Sequence, residues 1–203
     1  EEVLLIKEEN PLPLKDGEIR VKVLASPINP SNLYQITGNY GSPPEFPATP
    51  GSEGVGRVIE ISESVRHIKT GQLVLLVGGR TWSEQIVAPA SQFLPLPELE
   101  NLDDKLIEQL SMSIVNPVTA FLMLNSFTQL KEGQWLVQSA ANSAVGGYVT
   151  QLARQRGIKT VNVVRRSGLA DDLIAKGGDV VLIDGPDLVR EIKRATDDAP
   201  VQL

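Results

Sequence analysis

The sequence predicts an α/β chain in two parts, a small antiparallel β-barrel followed by the first half of a doubly wound parallel sheet. Three observations carry this prediction. Residues 1 to about 100 read as short strands broken by Gly and Pro. Residues 135–166, WLVQSAANSAVGGYVTQLARQRGIKTVNVVRR, read as strand, tight turn, helix and strand. Beyond them the same α/β rhythm runs to the end. An all-β block ahead of a βαβ block is a shift in composition that marks two domains, 1–110 and 111–203, with the boundary near 110.

In chain order, Glu18 to Ala25 alternates apolar and polar with period two, as a half-buried strand does. Further strands are expected over Gly54–Ile61, Gln72–Val77, Ser83–Val87 and Gln92–Leu96, with Gly or Pro clusters between most pairs. Asp103 to Asn125 reads as helical. Trp135-Leu136-Val137 opens the βαβ unit; Val145, Tyr148, Val149, Leu152 and Ala153 recur at helical spacing until Gly157 stops the helix, and Val161 to Val164 is strand again. A helix over Leu169–Lys176, a strand over Asp179–Asp184 and an amphipathic helix over Asp187–Thr196 follow. A fourth parallel strand would begin at Pro200-Val201-Gln202-Leu203. Half of such a sheet leaves a buried edge unpaired, so 1–203 is expected to be part of something longer.

Composition bounds the function. With 41% hydrophobic and 22% charged residues, 203 residues suffice for one large or two modest cores. A net charge of −6 argues against nonspecific nucleic-acid binding, and no run approaches the length of a membrane-spanning helix, so neither nucleic acid nor membrane is an expected partner. The absence of cysteine excludes disulfides and thiolate chemistry.

The turn Ala140 to Gly146 is built almost entirely of small residues, so a phosphate could approach its backbone and meet the N–H groups that open the helix. Against the dinucleotide pattern G-x-G-x-x-G it matches only at Gly146, with Ala141 and Ser143 in the earlier glycine positions. At the end of the second strand, where an NAD-binding protein places an acidic residue, stand Arg165 and Arg166. Two guanidinium groups suit the 2′-phosphate of NADP; the alternative for both is a solvated surface.

Five stretches in order resemble the medium-chain dehydrogenase/reductase superfamily, and within it the 2-enoyl thioester reductases. They are SPINPSNLYQITGNYG (26–41), PGSEGVGRVIEI (50–61), GRTWSEQIV (79–87), NPVTAFLML (116–124) and AANSAVG (140–146) leading to NVVRR. The resemblance implies a GroES-like β-barrel catalytic domain followed by a Rossmann nucleotide-binding domain. It also implies NADPH as cofactor, a small-molecule or carrier-bound acyl thioester as substrate, and a homodimer. The expected compartment is the cytoplasm in a bacterium and the mitochondrion in a eukaryote.

Zinc-dependent members of the superfamily carry a cysteine in the first stretch and a histidine just before a glutamate in the second. Here those stretches hold Asn29-Pro30-Ser31-Asn32 and Ser52-Glu53, so no catalytic metal is expected. The single histidine, His67, reads as a surface or loop residue, and Glu53 as an ion-pair or turn residue.

By the same resemblance Tyr40 occupies the place of the family's proton donor. A phenol stays protonated at neutral pH and can protonate a more basic carbanion. Packing within its glycine-containing turn is the other reading of Tyr40. Asn116 falls where the family places a cofactor contact, with Thr119 a plausible neighbour. Asn142, Ser143, Ala144 and Val145 fall on the pyrophosphate or ribose, and Arg165, Arg166 and Ser167 on the 2′-phosphate. Trp82 could line an acyl channel or simply pack in the barrel. The expected activity is NADPH-dependent reduction of the C2=C3 bond of trans-2-enoyl thioesters, hydride going to C3 and a proton from Tyr40 to C2. The alternatives are a zinc-independent NADPH:quinone oxidoreductase and a non-catalytic NADPH-binding module.

Overall fold

A computed structural model of the chain describes residues 3–10, 12–42 and 44–202. These fall into two compact units, Glu1–Val115 and Asn116–Leu203.

The first unit is built on five antiparallel strands: β1 (Glu18–Ala25), β2 (Gly54–Ile61), β3 (Leu73–Leu76), β4 (Gln85–Pro89) and β5 (Phe93–Pro95), in spatial order β4-β1-β2-β3-β5. Strands β4 and β5 lie at opposite edges, yet only the 3₁₀ turn Ala90–Gln92 joins them. Four Cα steps reach about 15 Å, whereas the edges of a flat five-stranded sheet lie about 19 Å apart. The sheet must therefore curl into a barrel. Register irregularities in the β1–β2 ladder, between Arg20 and Val21 and between Val23 and Ala25, assist the bend. The curled interior collects Ile19, Val21, Val58, Ile68, Val74, Leu76 and Phe93. On the outer face, Arg20 pairs with Glu60 across the ladder at 2.8 Å and donates to the Leu12 carbonyl.

Two helices belong to the barrel unit. Helix α1 (Pro30–Ile36) begins with Pro at its first position, where a missing N–H costs nothing. Helix α2 (Asp104–Ser111) is capped by the Asp103 carboxylate, which accepts from Leu106 N–H at 2.7 Å. The helix expected over Asp103–Asn125 is thus not continuous: it breaks at 112–114 and resumes as α3 (Val115–Leu122), which ends in a π-helical turn, Met123–Phe127.

The second unit has a four-stranded parallel sheet. It comprises β6 (Trp135–Gln138), β7 (Lys159–Val164), β8 (Val180–Ile183) and β9 (Val201–Gln202), in order β8-β7-β6-β9. That is the 3-2-1-4 arrangement of a doubly wound nucleotide-binding sheet. The helices are α4 (Ala144–Gln155), α5 (Ala170–Ala175) and α6 (Leu188–Ala195). The fourth strand expected at the end of the chain is present as Val201–Gln202, paired with Trp135 and Leu136; Leu203 lies outside the described residues. Among the described residues no single helix is long and apolar enough to cross a membrane.

Candidate functional site

In the first unit the candidate chemistry centres on Tyr40, and α1 is what presents it. The helix ends in a two-bond cap: Asn39 N–H donates to the Tyr34 carbonyl at 2.8 Å and Gly38 N–H to Gln35 at 3.2 Å. Gly38 takes the left-handed conformation that this cap requires, φ 72°. Tyr40 follows two residues later, 42% exposed, and its hydroxyl has no hydrogen-bond partner among the described residues.

The other end of α1 is locked to the turn before β2. Asn32, fully buried, accepts from Asn29 N–H at 3.0 Å and donates its amide to the Ser52 hydroxyl at 2.6 Å. Asn29 donates its own amide to Glu53 at 3.0 Å. Ser26 joins in, donating to the Glu53 carbonyl at 2.9 Å and sharing a 2.7 Å hydrogen bond with Thr81. The stretch in which metal-binding relatives would place a thiolate is therefore tied through Asn32 to Ser52, the hydroxyl that stands where they would place an imidazole. Among the described residues no group of three His, Cys, Asp or Glu is arranged to hold a metal ion. His67 is exposed on a loop.

Of the two roles expected for Glu53, it stands in the turn just ahead of β2 and not in an ion pair. It is fully buried and makes no ion pair among the described residues. Its second oxygen accepts from the backbone N–H groups of Ile114 and Val115 at 3.0 and 2.8 Å, at the start of α3. A helix start leaves unpaired donors, and a carboxylate 61 and 62 residues away in sequence satisfies two of them. Only long-range packing could reveal this role.

Trp82 is half-buried, with its indole N–H donating to the Pro27 carbonyl at 3.2 Å. Beside it an open groove of about 540 Å³ is lined by Ala25, Ser26, Ile28, Thr81, Trp82 and Ser83. Ile28 is 68% exposed, so the groove has an apolar wall facing outward.

In the second unit the turn between β6 and α4 has the form a phosphate needs. Ser143 caps α4, its hydroxyl accepting from Gly146 N–H at 3.1 Å. A Cβ on Gly146 would collide with the backbone carbonyl of Ala141, so the helix packs against the strand end as closely as glycine permits. Ala141 is fully buried, whereas Asn142, Ser143 and Ala144 are exposed. The backbone N–H groups of Ala144 and Val145 have no acceptor among the described residues. They open a helix whose dipole favours an anion.

Arg165, Arg166 and Ser167 follow β7 directly and are all exposed. Neither guanidinium has an ion pair or hydrogen bond among the described residues, so both can meet an incoming phosphate without first breaking a protein contact. Asn116 lies half-buried in the first turn of α3, and Thr119 is exposed one turn on. These features fit a 2′-phosphorylated dinucleotide: free backbone donors for a pyrophosphate and two unpaired cations for a terminal phosphate.

Comparison with known proteins adds the following. Residues 15–98 match the alcohol dehydrogenase GroES-like domain family. The chain is 36% identical to rat mitochondrial enoyl-[acyl-carrier-protein] reductase over 205 residues, covering 98% of this chain and 54% of that relative. The chain thus spans about half the length of such relatives. Among solved structures it is similar to the complex of Etr1p, a mitochondrial 2-enoyl thioester reductase of Candida tropicalis, with NADP and crotonyl-CoA. There the TM-score is 0.81 at 28% identity over 96% of this chain and 61% of that one. It is also similar to Escherichia coli quinone oxidoreductase complexed with NADPH, with a TM-score of 0.80 at 27% identity over 95% of this chain and 58% of that one.

Proposed function

We propose that the chain belongs to the enoyl thioester reductase branch of the medium-chain dehydrogenase/reductase superfamily, as the similarities above support, and that the protein reduces the C2=C3 bond of trans-2-enoyl thioesters with NADPH. Coenzyme A and acyl carrier protein are the carriers this reading assigns. The observation that carries it is Tyr40, a solvent-reachable phenol held directly after a capped helix, with its hydroxyl uncommitted among the described residues.

The first unit is assigned as the catalytic domain and the second as the NADP-binding domain. NADPH, when bound, supplies the hydride that adds to C3, the carbon made electron-poor by the thioester carbonyl. Tyr40 gives its hydroxyl proton to C2 of the resulting enolate, and its exposed oxygen regains a proton from water. Ala144 and Val145 offer their N–H groups to the pyrophosphate, flanked by Asn142 and Ser143. Arg165, Arg166 and Ser167 hold the 2′-phosphate, and Asn116 contacts the cofactor from α3. The groove beside Trp82 and Ile28 suits an apolar acyl chain.

No metal enters this scheme, because Asn32 and Ser52 offer only a neutral amide and a hydroxyl, and the Glu53 carboxylate beside them is taken up by Asn29 and the backbone N–H groups of Ile114 and Val115. The heterodimer formed by the Candida tropicalis reductase supports a dimer, here assigned as a homodimer. The rat relative is mitochondrial, which supports that compartment for a eukaryotic source; in a bacterium the assignment is cytoplasmic.

A second reading, NADPH:quinone oxidoreductase, is favoured by the equally close backbone of the Escherichia coli enzyme. NADPH oxidation by the whole protein, followed in parallel with crotonyl-coenzyme A and a simple quinone, separates the two. The expected result is turnover of the thioester, unchanged by a chelator. Turnover of quinone alone would select the second reading, and chelator inactivation reversed by zinc would overturn the metal-free scheme.

A further inference from the structure

Asn162 sits in the middle of β7, in the otherwise apolar run Val161-Asn162-Val163-Val164, and is fully buried. A buried amide is costly unless all its hydrogen-bonding capacity is used. Here it is. The Asn162 amide donates to the Thr160 hydroxyl at 2.9 Å and to the Val180 carbonyl at 3.1 Å. Its oxygen accepts from Gln138 at 2.7 Å and from Thr150 at 3.1 Å. Gln138 is the last residue of β6 and the register partner of Asn162; Thr150 lies on α4 and is fully buried.

The donors of this cluster also converge on one further atom. Gln138 donates to the Gly146 carbonyl at 3.2 Å, and the Thr150 hydroxyl, whose single proton is shared between this oxygen and that of Asn162, lies 3.0 Å from it. Gly146 is in the first turn of α4, one residue after Val145 and pressed against Ala141. At the other end, Thr160 donates through its N–H to the Asp179 carboxylate at 2.8 Å. Gly178 leaves the room Asn162 needs, because a Cβ there would come within 2.7 Å of the Asn162 amide nitrogen. Apolar side chains could bridge the same strands and helix without desolvating any polar group. What a saturated polar network adds is direction: the hydrogen bonds fix where the Gly146 peptide points, and with it the first turn of the helix.

We propose that Gln138, Thr150 and Asn162 are positioning residues that hold the first turn of α4 so that the Ala144 and Val145 N–H groups aim at the cofactor pyrophosphate. This rests on the NADPH reading above. The residues touch no cofactor atom themselves; they act through the Gly146 carbonyl.

The test separates the turn from the arginine end of the site, using two probes on the whole protein. One is 2′-phospho-ADP-ribose, which carries both the pyrophosphate and the 2′-phosphate. The other is adenosine 2′-monophosphate, which carries only the latter. Gln138→Met, which keeps the volume and removes the donors, is expected to weaken 2′-phospho-ADP-ribose about tenfold, the loss of roughly one to two hydrogen bonds. Adenosine 2′-monophosphate should bind as to the wild type. Thr150→Val should weaken the first probe in the same selective way, and Thr150→Ser, which keeps the hydroxyl, should restore it. Equal loss for both probes would show a merely structural role and overturn the proposal, as would unchanged binding of both. If the wild type binds neither probe, the NADPH reading fails and this proposal falls with it, an outcome distinct from a selective effect that is missing in the variants.

Discussion

Tyr40→Phe is expected to lower kcat for crotonyl-coenzyme A reduction by about 10²- to 10⁴-fold, the range lost when a positioned proton donor is removed. The substitution deletes one oxygen that is exposed and makes no hydrogen bond among the described residues, so fold and melting temperature should be unchanged. The cap that presents the residue uses backbone groups of Tyr34, Gln35, Gly38 and Asn39 and survives the change. NADPH affinity should also survive, since Tyr40 belongs to the barrel unit and is given no part in holding the cofactor. Steady-state kinetics paired with an NADPH titration makes the check. A variant that keeps thioester turnover would remove Tyr40 from the chemistry, and one that loses NADPH binding would assign it a different role.

Replacing Arg165 and Arg166 together by Ala is expected to weaken NADPH by about 100-fold and leave NADH nearly unaffected. Charge-assisted hydrogen bonds to a phosphate contribute about 1.5–3 kcal/mol each, and exposure of both side chains places the sum at the lower end. Neither guanidinium holds another part of the described protein together, so the fold should not suffer. Titrating the double variant with both cofactors by fluorescence gives the comparison directly. Equal weakening for NADPH and NADH would remove the 2′-phosphate assignment.

The parts of the fold that local chemistry dictates were legible in the sequence. Strands Glu18–Ala25 and Gly54–Ile61 have the expected bounds, because period-two alternation marks the first and the Pro50-Gly51 turn punctuates the chain ahead of the second, both local signals. The helix after Ser143 ends where Gly157 adopts a positive φ of 64°, again a local signal. The break at 112–114 was not legible. The apolar path through Leu110 to Leu124 runs across it, and α3 starts where the Glu53 carboxylate, far off in sequence, meets Ile114 and Val115.

The candidate site shows the same division. Small residues at 140–146 and the two arginines after β7 could be read from type and spacing alone. Asn162 could only be noticed as a polar residue in an apolar strand; its partners on β6, α4 and β8 appear once parallel pairing brings them together. Glu53 reads as an ion-pair or turn residue by type, yet its donors are an amide and two backbone N–H groups, which carry no signature in composition.

The measurement to make is the fate of two labels in the reduction of crotonyl-coenzyme A by the whole protein. With NADPH deuterated at the transferable C4 position in ordinary water, deuterium is expected at C3 of the butyryl product and not at C2. With ordinary NADPH in heavy water, it is expected at C2 and not at C3. Mass spectrometry and proton NMR of the product distinguish the positions. Cofactor-derived deuterium at C2, or no saturated thioester at all from an NADPH-bound protein that turns over quinone, would contradict hydride delivery to C3 with protonation at C2.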